Sequence, residues 1–142
     1  ALAREVKKPL VVHVRDAYPE ALEVLKRERA DECGGVIHCF SGSLGDAVAA
    51  IDLGFFISFA GPLTFPRNAA LRETAAALPL EGLLCETDAP YLSPQPRRGR
   101  RNEPSHVPFV YRALADARGI PLEECSRALW SNASRLFRWG AE

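Results

Sequence analysis

The sequence contains no methionine. It also has no CxxC pair and no apolar run long enough to cross a bilayer. It carries no net formal charge, so the molecule as a whole does not advertise itself as a nucleic-acid or membrane-surface binder. The four cysteines, Cys33, Cys39, Cys85 and Cys125, are scattered, and most lie in or beside apolar segments. That usage predicts reduced, buried thiols in a cytoplasmic protein. Repeats, linkers and low-complexity tracts are also lacking, and one domain over residues 1–142 is expected. The composition, 47% hydrophobic and 25% charged, is that of an ordinary globular domain.

Short β-branched and apolar runs recur along the chain. Leu10–Val14, Val36–Phe40, Phe55–Ala60 and the run after Gly82 each predict a strand covered on both faces. Helical spacing follows each of them. Asp16 is expected to cap a helix over about Ala17 to Arg29. Ser41-Gly42-Ser43 is a polar turn before a helix over Leu44 to Leu53, and Asn68 is expected to cap a helix to about Leu78. Residues 104–118 predict a helix ended by Gly119. A further helix is expected from Pro121 to about Leu129, with a separate final turn over Asn132 to Phe137. Alternation of strand and helix with short connections means parallel strands and right-handed crossovers. Such a chain is either a small doubly wound sheet or half of a (β/α)8 barrel, which normally needs about 250 residues. The opening Ala1–Val6 reads as the last turns of an amphipathic helix with no start signal, so the chain is expected to begin inside a larger fold.

The chemistry concentrates at strand ends. In Leu83-Leu84-Cys85-Glu86-Thr87-Asp88, alternation puts Leu84, Glu86 and Asp88 on one side. Two acids on one face need a metal, a base or an arginine nearby; pairing with an arginine or capping the next segment is the plainer alternative. His13 and His38 occupy the corresponding ends of the first and second strands. That edge of a parallel sheet is where α/β sites form. Adjacent strands lie about 4.8 Å apart, so the two imidazoles can converge on one ion. A lone strand histidine is usually a core residue, whereas two histidines and Asp88 at equivalent positions point to a divalent metal that activates water. His106, at a helix start, is expected on the surface. Arg97, Arg98, Arg100 and Arg101 form a loop directly after Asp88. Phosphate is a natural partner for them, and Arg15, beside His13, is another candidate; a solvated loop is the alternative.

These segments resemble the TatD family of metal-dependent deoxyribonucleases. The likeness rests on Pro9-Leu10-Val11-Val12-His13-Val14-Arg15-Asp16-Ala17, Gly35-Val36-Ile37-His38-Cys39-Phe40-Ser41-Gly42, Glu86-Thr87-Asp88-Ala89-Pro90-Tyr91-Leu92 and Arg101-Asn102-Glu103-Pro104, with Asn132-Ala133-Ser134-Arg135-Leu136-Phe137 closing the chain. The resemblance implies an α/β fold in which this chain supplies strands five to eight, with their helices, of a TIM-type (β/α)8 barrel. It implies two divalent ions (Mg, Mn or Zn) and hydrolysis of DNA phosphodiesters by metal-activated water. His13 and His38 would bind one ion, and Asp88 would bind the other and help activate water. Glu86 would be a catalytic-site neighbour, and Arg15, Arg98 and Arg101 are the phosphate candidates. The family also uses a His-x-His pair and a bridging glutamate from strands this chain does not contain. A missing N-terminal half barrel or self-association is therefore expected. A metal-dependent hydrolase of amides or esters and a non-catalytic, metal-binding half barrel are the alternatives.

Overall fold

The computed structural model describes residues 1–139; residues 140–142, the end of the expected domain, lie outside the described residues. A short helix α1 (Leu2–Glu5) precedes strand β1 (Leu10–His13) and helix α2 (Tyr18–Arg27). Then come β2 (Gly35–His38), α3 (Leu44–Asp52), β3 (Phe55–Phe59), α4 (Ala69–Ala77) and β4 (Leu83–Cys85). Two longer helices, α5 (Val107–Arg118) and α6 (Leu122–Phe137), complete the fold. The strands form one parallel sheet in the order β1-β2-β3-β4. Each strand lies beside the one that precedes it, which is what short strand–helix–strand crossovers produce. The register sets Val11 opposite Val36, His13 opposite His38, and Ser58 opposite Leu84.

The two faces of the sheet have different tasks. Ile37, Phe55, Ile57, Phe59 and Leu83 point to the helices and join Phe40, Leu63, Leu114 and Leu129 in the main core. Fully burying a side chain of that size contributes roughly 1.5–3 kcal/mol, so this face dominates stability. The opposite face carries Val36, Leu84 and Phe56, covered by Leu136 and Ala133 of α6. Further along that face, Val11 is 64% exposed, and Trp130 of α6 is 66% exposed. Gly35 is dictated by packing: a Cβ there would lie 2.3 Å from the carbonyl oxygen of Leu10.

Several local expectations are corrected. Asp16 does not cap α2; it is left-handed (φ 54°), and Ala17 is the N-cap without a side-chain bond. Asn68 is the N-cap of α4, yet its amide donates to the carbonyl of Pro62 (3.0 Å) rather than capping. The polar turn before α3 is a full capping box: Asp46 N–H donates to Ser43 Oγ, and Ser43 N–H donates to Asp46. The expected break near residue 130 does not exist. Cys125, Leu129, Asn132 and Leu136 form one buried stripe along a 16-residue α6. Asn132 does not end the helix because its amide bonds to Leu80 and Leu83 instead of its own backbone. The four cysteines are free as expected, but only Cys125 is fully buried.

Candidate metal centre

β2 and β4 end at the same edge of the sheet, separated by β3. The ladder continues one step past β4, where Glu86 N–H donates to the Phe59 carbonyl (2.9 Å). That bond fixes Glu86 above β3 and aims it at β2. Its Oε1 lies 2.5 Å from Nδ1 of His38. The chain then turns at Asp88, whose φ is 56°. The turn brings Asp88 Oδ1 to 3.5 Å from Nε2 of His38. His38, Glu86 and Asp88 each offer a ligand atom, and these atoms lie within 4.8 Å of one another. All three side chains are about a quarter exposed. The cluster is therefore partly open to solvent.

One unpartnered oxygen fits a cation at this donor set, and a neighbouring thiol reports the negative field around it. The buried oxygen Oε1 of Glu86 lacks a properly aligned hydrogen bond, despite the nearness of His38. Cys39, beside His38, has its thiol pushed up to about 12, first by burial and then by the negative field of Asp88 and Glu86. Two carboxylates and one imidazole around a small space are a donor set for Zn²⁺, Mn²⁺ or Mg²⁺.

The structure brings some expected residues together and leaves others apart. His38, Glu86 and Asp88 converge. His13 stands next to them in register, its ring centroid 5.4 Å from that of His38, but it is exposed and outside the tight cluster. Arg15 is exposed beside its neighbour Asp16. Arg98 stacks over the Phe65 ring at 4.1 Å, and Arg101 is exposed. His106 is not the surface residue expected. It is buried, with Nδ1 3.0 Å from Oδ1 of Asn102. Nothing in the local sequence marked it, because its partner is a polar side chain rather than an apolar patch. Below the cluster, a cleft of about 330 Å³ opens between the strands and α6, lined by Val11, Val36, Ser58, Leu84, Glu86 and Trp130 among others. No helix of the described residues is long and apolar enough to cross a membrane.

The chain is 43% identical over 136 residues to YcfH of Escherichia coli strain K12, an uncharacterized metal-dependent hydrolase, covering 96% of this chain and 51% of that one. It is 39% identical over 142 residues to the 3'-5' ssDNA/RNA exonuclease TatD of Klebsiella pneumoniae strain 342, covering 96% of this chain and 54% of that one. The crystal structure of YJJV, a TatD homologue from Escherichia coli K12, superposes with a TM-score of 0.90 at 36% identity, over 96% of this chain and 52% of that chain. The chain thus spans about half the length of the relatives it matches. Residues 1–138 match the family described as TatD related DNase, and the chain belongs to that family of metal-dependent hydrolases.

Proposed function

We propose that this chain contributes part of a divalent-metal site that hydrolyses phosphodiester bonds in DNA. The observation that carries the reading is the convergence of His38, Glu86 and Asp88 at the carboxyl edge of a parallel sheet. His38, Glu86 and Asp88 would hold the ion, and His13, one strand away, would serve a second. A divalent ion there supplies Lewis acidity, which lowers the pKa of water and offsets charge on the leaving oxygen. Asp88, at the turn that follows β4, would also accept the proton of the attacking water. Arg15, Arg98 and Arg101 receive the phosphates of the strand. A phosphodiester chain is a substrate that suits arginines in the loops that follow β1 and β4, and one relative bears the name of an exonuclease acting on single-stranded DNA and RNA.

The same reading takes the four-stranded sheet as strands five to eight of a (β/α)8 barrel. Its support is the all-parallel order, the site at the carboxyl edge and the uncovered face around Val11 and Trp130. The strands that complete such a barrel, from an N-terminal half or a second copy, bring the remaining ligands.

The test is degradation of end-labelled single-stranded DNA with Mg²⁺ or Mn²⁺ by the protein carrying both halves of the barrel. Activity that disappears with a chelator and with Asp88→Ala supports the reading. Undiminished cleavage by Asp88→Ala refutes it. Hydrolysis confined to amide or ester substrates assigns the site to that chemistry instead, and tight metal binding without any turnover assigns a non-catalytic role.

A further inference from the structure

We propose that Asn102, oriented by His106, is a positioning residue for Asp88, and that it sets the metal affinity of the cluster without touching the ion; this rests on the reading of the cluster as a metal site. The loop from Thr87 to Leu92 has no strand ladder to hold it, and Asp88 and Leu92 are both left-handed (φ 56° and 52°). Side chains other than glycine rarely adopt that conformation unless the surroundings impose it. The constraint comes from the chain 14 residues on. Asn102, 2% exposed, donates from Nδ2 to the carbonyls of both Thr87 and Tyr91, each at 2.6 Å. One amide thus grips the loop on either side of Asp88. The loop answers with Tyr91 N–H donating to the Asp88 carbonyl (2.8 Å) and Asn102 N–H donating to the Pro90 carbonyl (3.1 Å).

The orientation of Asn102 is itself fixed. With both Nδ2 protons committed to carbonyls, Oδ1 is the acceptor, and it takes Glu103 N–H at 2.9 Å and His106 Nδ1 at 3.0 Å. His106 therefore carries its proton on Nδ1. Its Nε2 faces Oε1 of Glu103 at 3.4 Å. A rotated Asn102 amide would turn its oxygen on two carbonyls and its NH₂ on two donors, so His106 and Glu103 N–H lock the productive orientation.

The fold supplies its own control. Asn132, 3% exposed, makes the same kind of double bond at the opposite end of β4, to the carbonyls of Leu80 and Leu83, both at 2.8 Å. Removing either amide leaves two carbonyls short of donors, but only one of the pairs frames Asp88.

The experiment compares Mn²⁺ affinity by calorimetry, and amide hydrogen exchange at Tyr91, in wild type, Asn102→Ala and Asn132→Ala. With similar losses of melting temperature, Asn102→Ala should bind Mn²⁺ about 10- to 100-fold more weakly, the range seen when outer partners of metal ligands are removed, and Tyr91 should lose protection. Asn132→Ala should stay within about twofold of wild type on both counts. Equal weakening in the two variants, or Asn102→Ala binding as tightly as wild type, overturns the positioning role. A wild type that ignores millimolar Mn²⁺ overturns the metal reading itself, and the role of Asn102 with it. If Asn102→Ala does not fold, His106→Ala and His106→Asn take its place. The alanine should weaken Mn²⁺ binding, and the asparagine, whose amide can still donate to Asn102 Oδ1, should restore it; no difference between them refutes the proposal.

Discussion

Replacing Glu86 by glutamine separates what the carboxylate does for the ion from what it does for the fold. In the metal-free protein, ligand oxygens of Glu86 and Asp88 lie within 4.8 Å of each other. Two unit charges at that distance repel by about 0.9 kcal/mol at the dielectric of water and about 3.5 kcal/mol at an effective dielectric of 20. Glutamine removes this repulsion and gives up only an unaligned contact with His38, worth less than the ~1 kcal/mol of a formed hydrogen bond. The metal-free variant should therefore melt no more than about 2 °C below wild type, and above it if the site is poorly screened. Metal response should move the other way. Mn²⁺ at about 100 times its dissociation constant stabilises a folded protein by about 2.7 kcal/mol. A chain of 142 residues has an unfolding entropy of about 0.3 kcal/mol/K, so the melting temperature of wild type should rise about 9 °C. Losing an outer partner of a ligand already weakens metal sites up to about 100-fold, so losing a direct ligand should do at least as much. At that weakening the same Mn²⁺ concentration gives about 0.4 kcal/mol, a rise of about 1.4 °C. Scanning calorimetry with and without Mn²⁺ reads both effects at once. A Glu86→Gln protein that gains the full wild-type shift refutes the assignment of Glu86 as a ligand.

Packing and burial give two further outcomes. Gly61→Ala would place a Cβ 1.8 Å from the Leu92 carbonyl oxygen; overpacking against backbone costs about 1–3 kcal/mol, so melting should fall by roughly 3–10 °C, and an unchanged melt would mean that these two segments do not approach so closely. Burial, first among the causes, holds the Cys125 thiol above its usual 9.0 and the Tyr111 phenol above its usual 10.0. The folded state keeps protons that the unfolded chain releases, so their stabilising effect is complete below about pH 9 and is lost as pH rises beyond it. Melting temperature should fall as pH rises above about 9, and Cys125→Ala should make that fall shallower; a slope unaltered by the substitution would mean that the thiol does not contribute.

The sheet was legible because each strand announces itself locally. Leu10–His13, Gly35–His38 and Phe55–Phe59 are apolar runs closed by turn residues, and strand–helix alternation leaves little choice but parallel order. The pairing of His13 with His38 followed from their common place at the strand ends. The inclusion of Glu86 in the tight cluster, with His13 beside it, depended on a backbone bond from Glu86 to Phe59 that no spacing rule contains. Helix ends were read less well. Asp16 and Asn68 are good capping residues by type, but the backbone at Asp16 is left-handed, which leaves Ala17 as the N-cap, and the Asn68 amide donates to Pro62 six residues back. The continuous α6 was missed for a related reason. Asn132 reads as a helix breaker only while its amide has no other partner, and its partners lie 49 and 52 residues away.

β4 shows why the site is held from outside its own strand. It is three residues long, too short for its ladder alone to fix the direction of the Glu86–Asp88 segment. Yet the segment that leaves it delivers two of the three clustered side chains. The molecule compensates by pinning the segment at both ends with buried asparagines from α6 and from the loop before α5, each donating to two carbonyls. Asparagine suits this task because one planar amide offers two donors and an acceptor at fixed angles, and carries no charge to be desolvated. The apolar core is on the helix-facing side of the sheet, while the cluster lies at the edge of the other face. Stability and ligand geometry therefore rest on different atoms. The precision of the site is set by a handful of amide–carbonyl bonds, and the hydrophobic core only has to keep the two asparagines where they are.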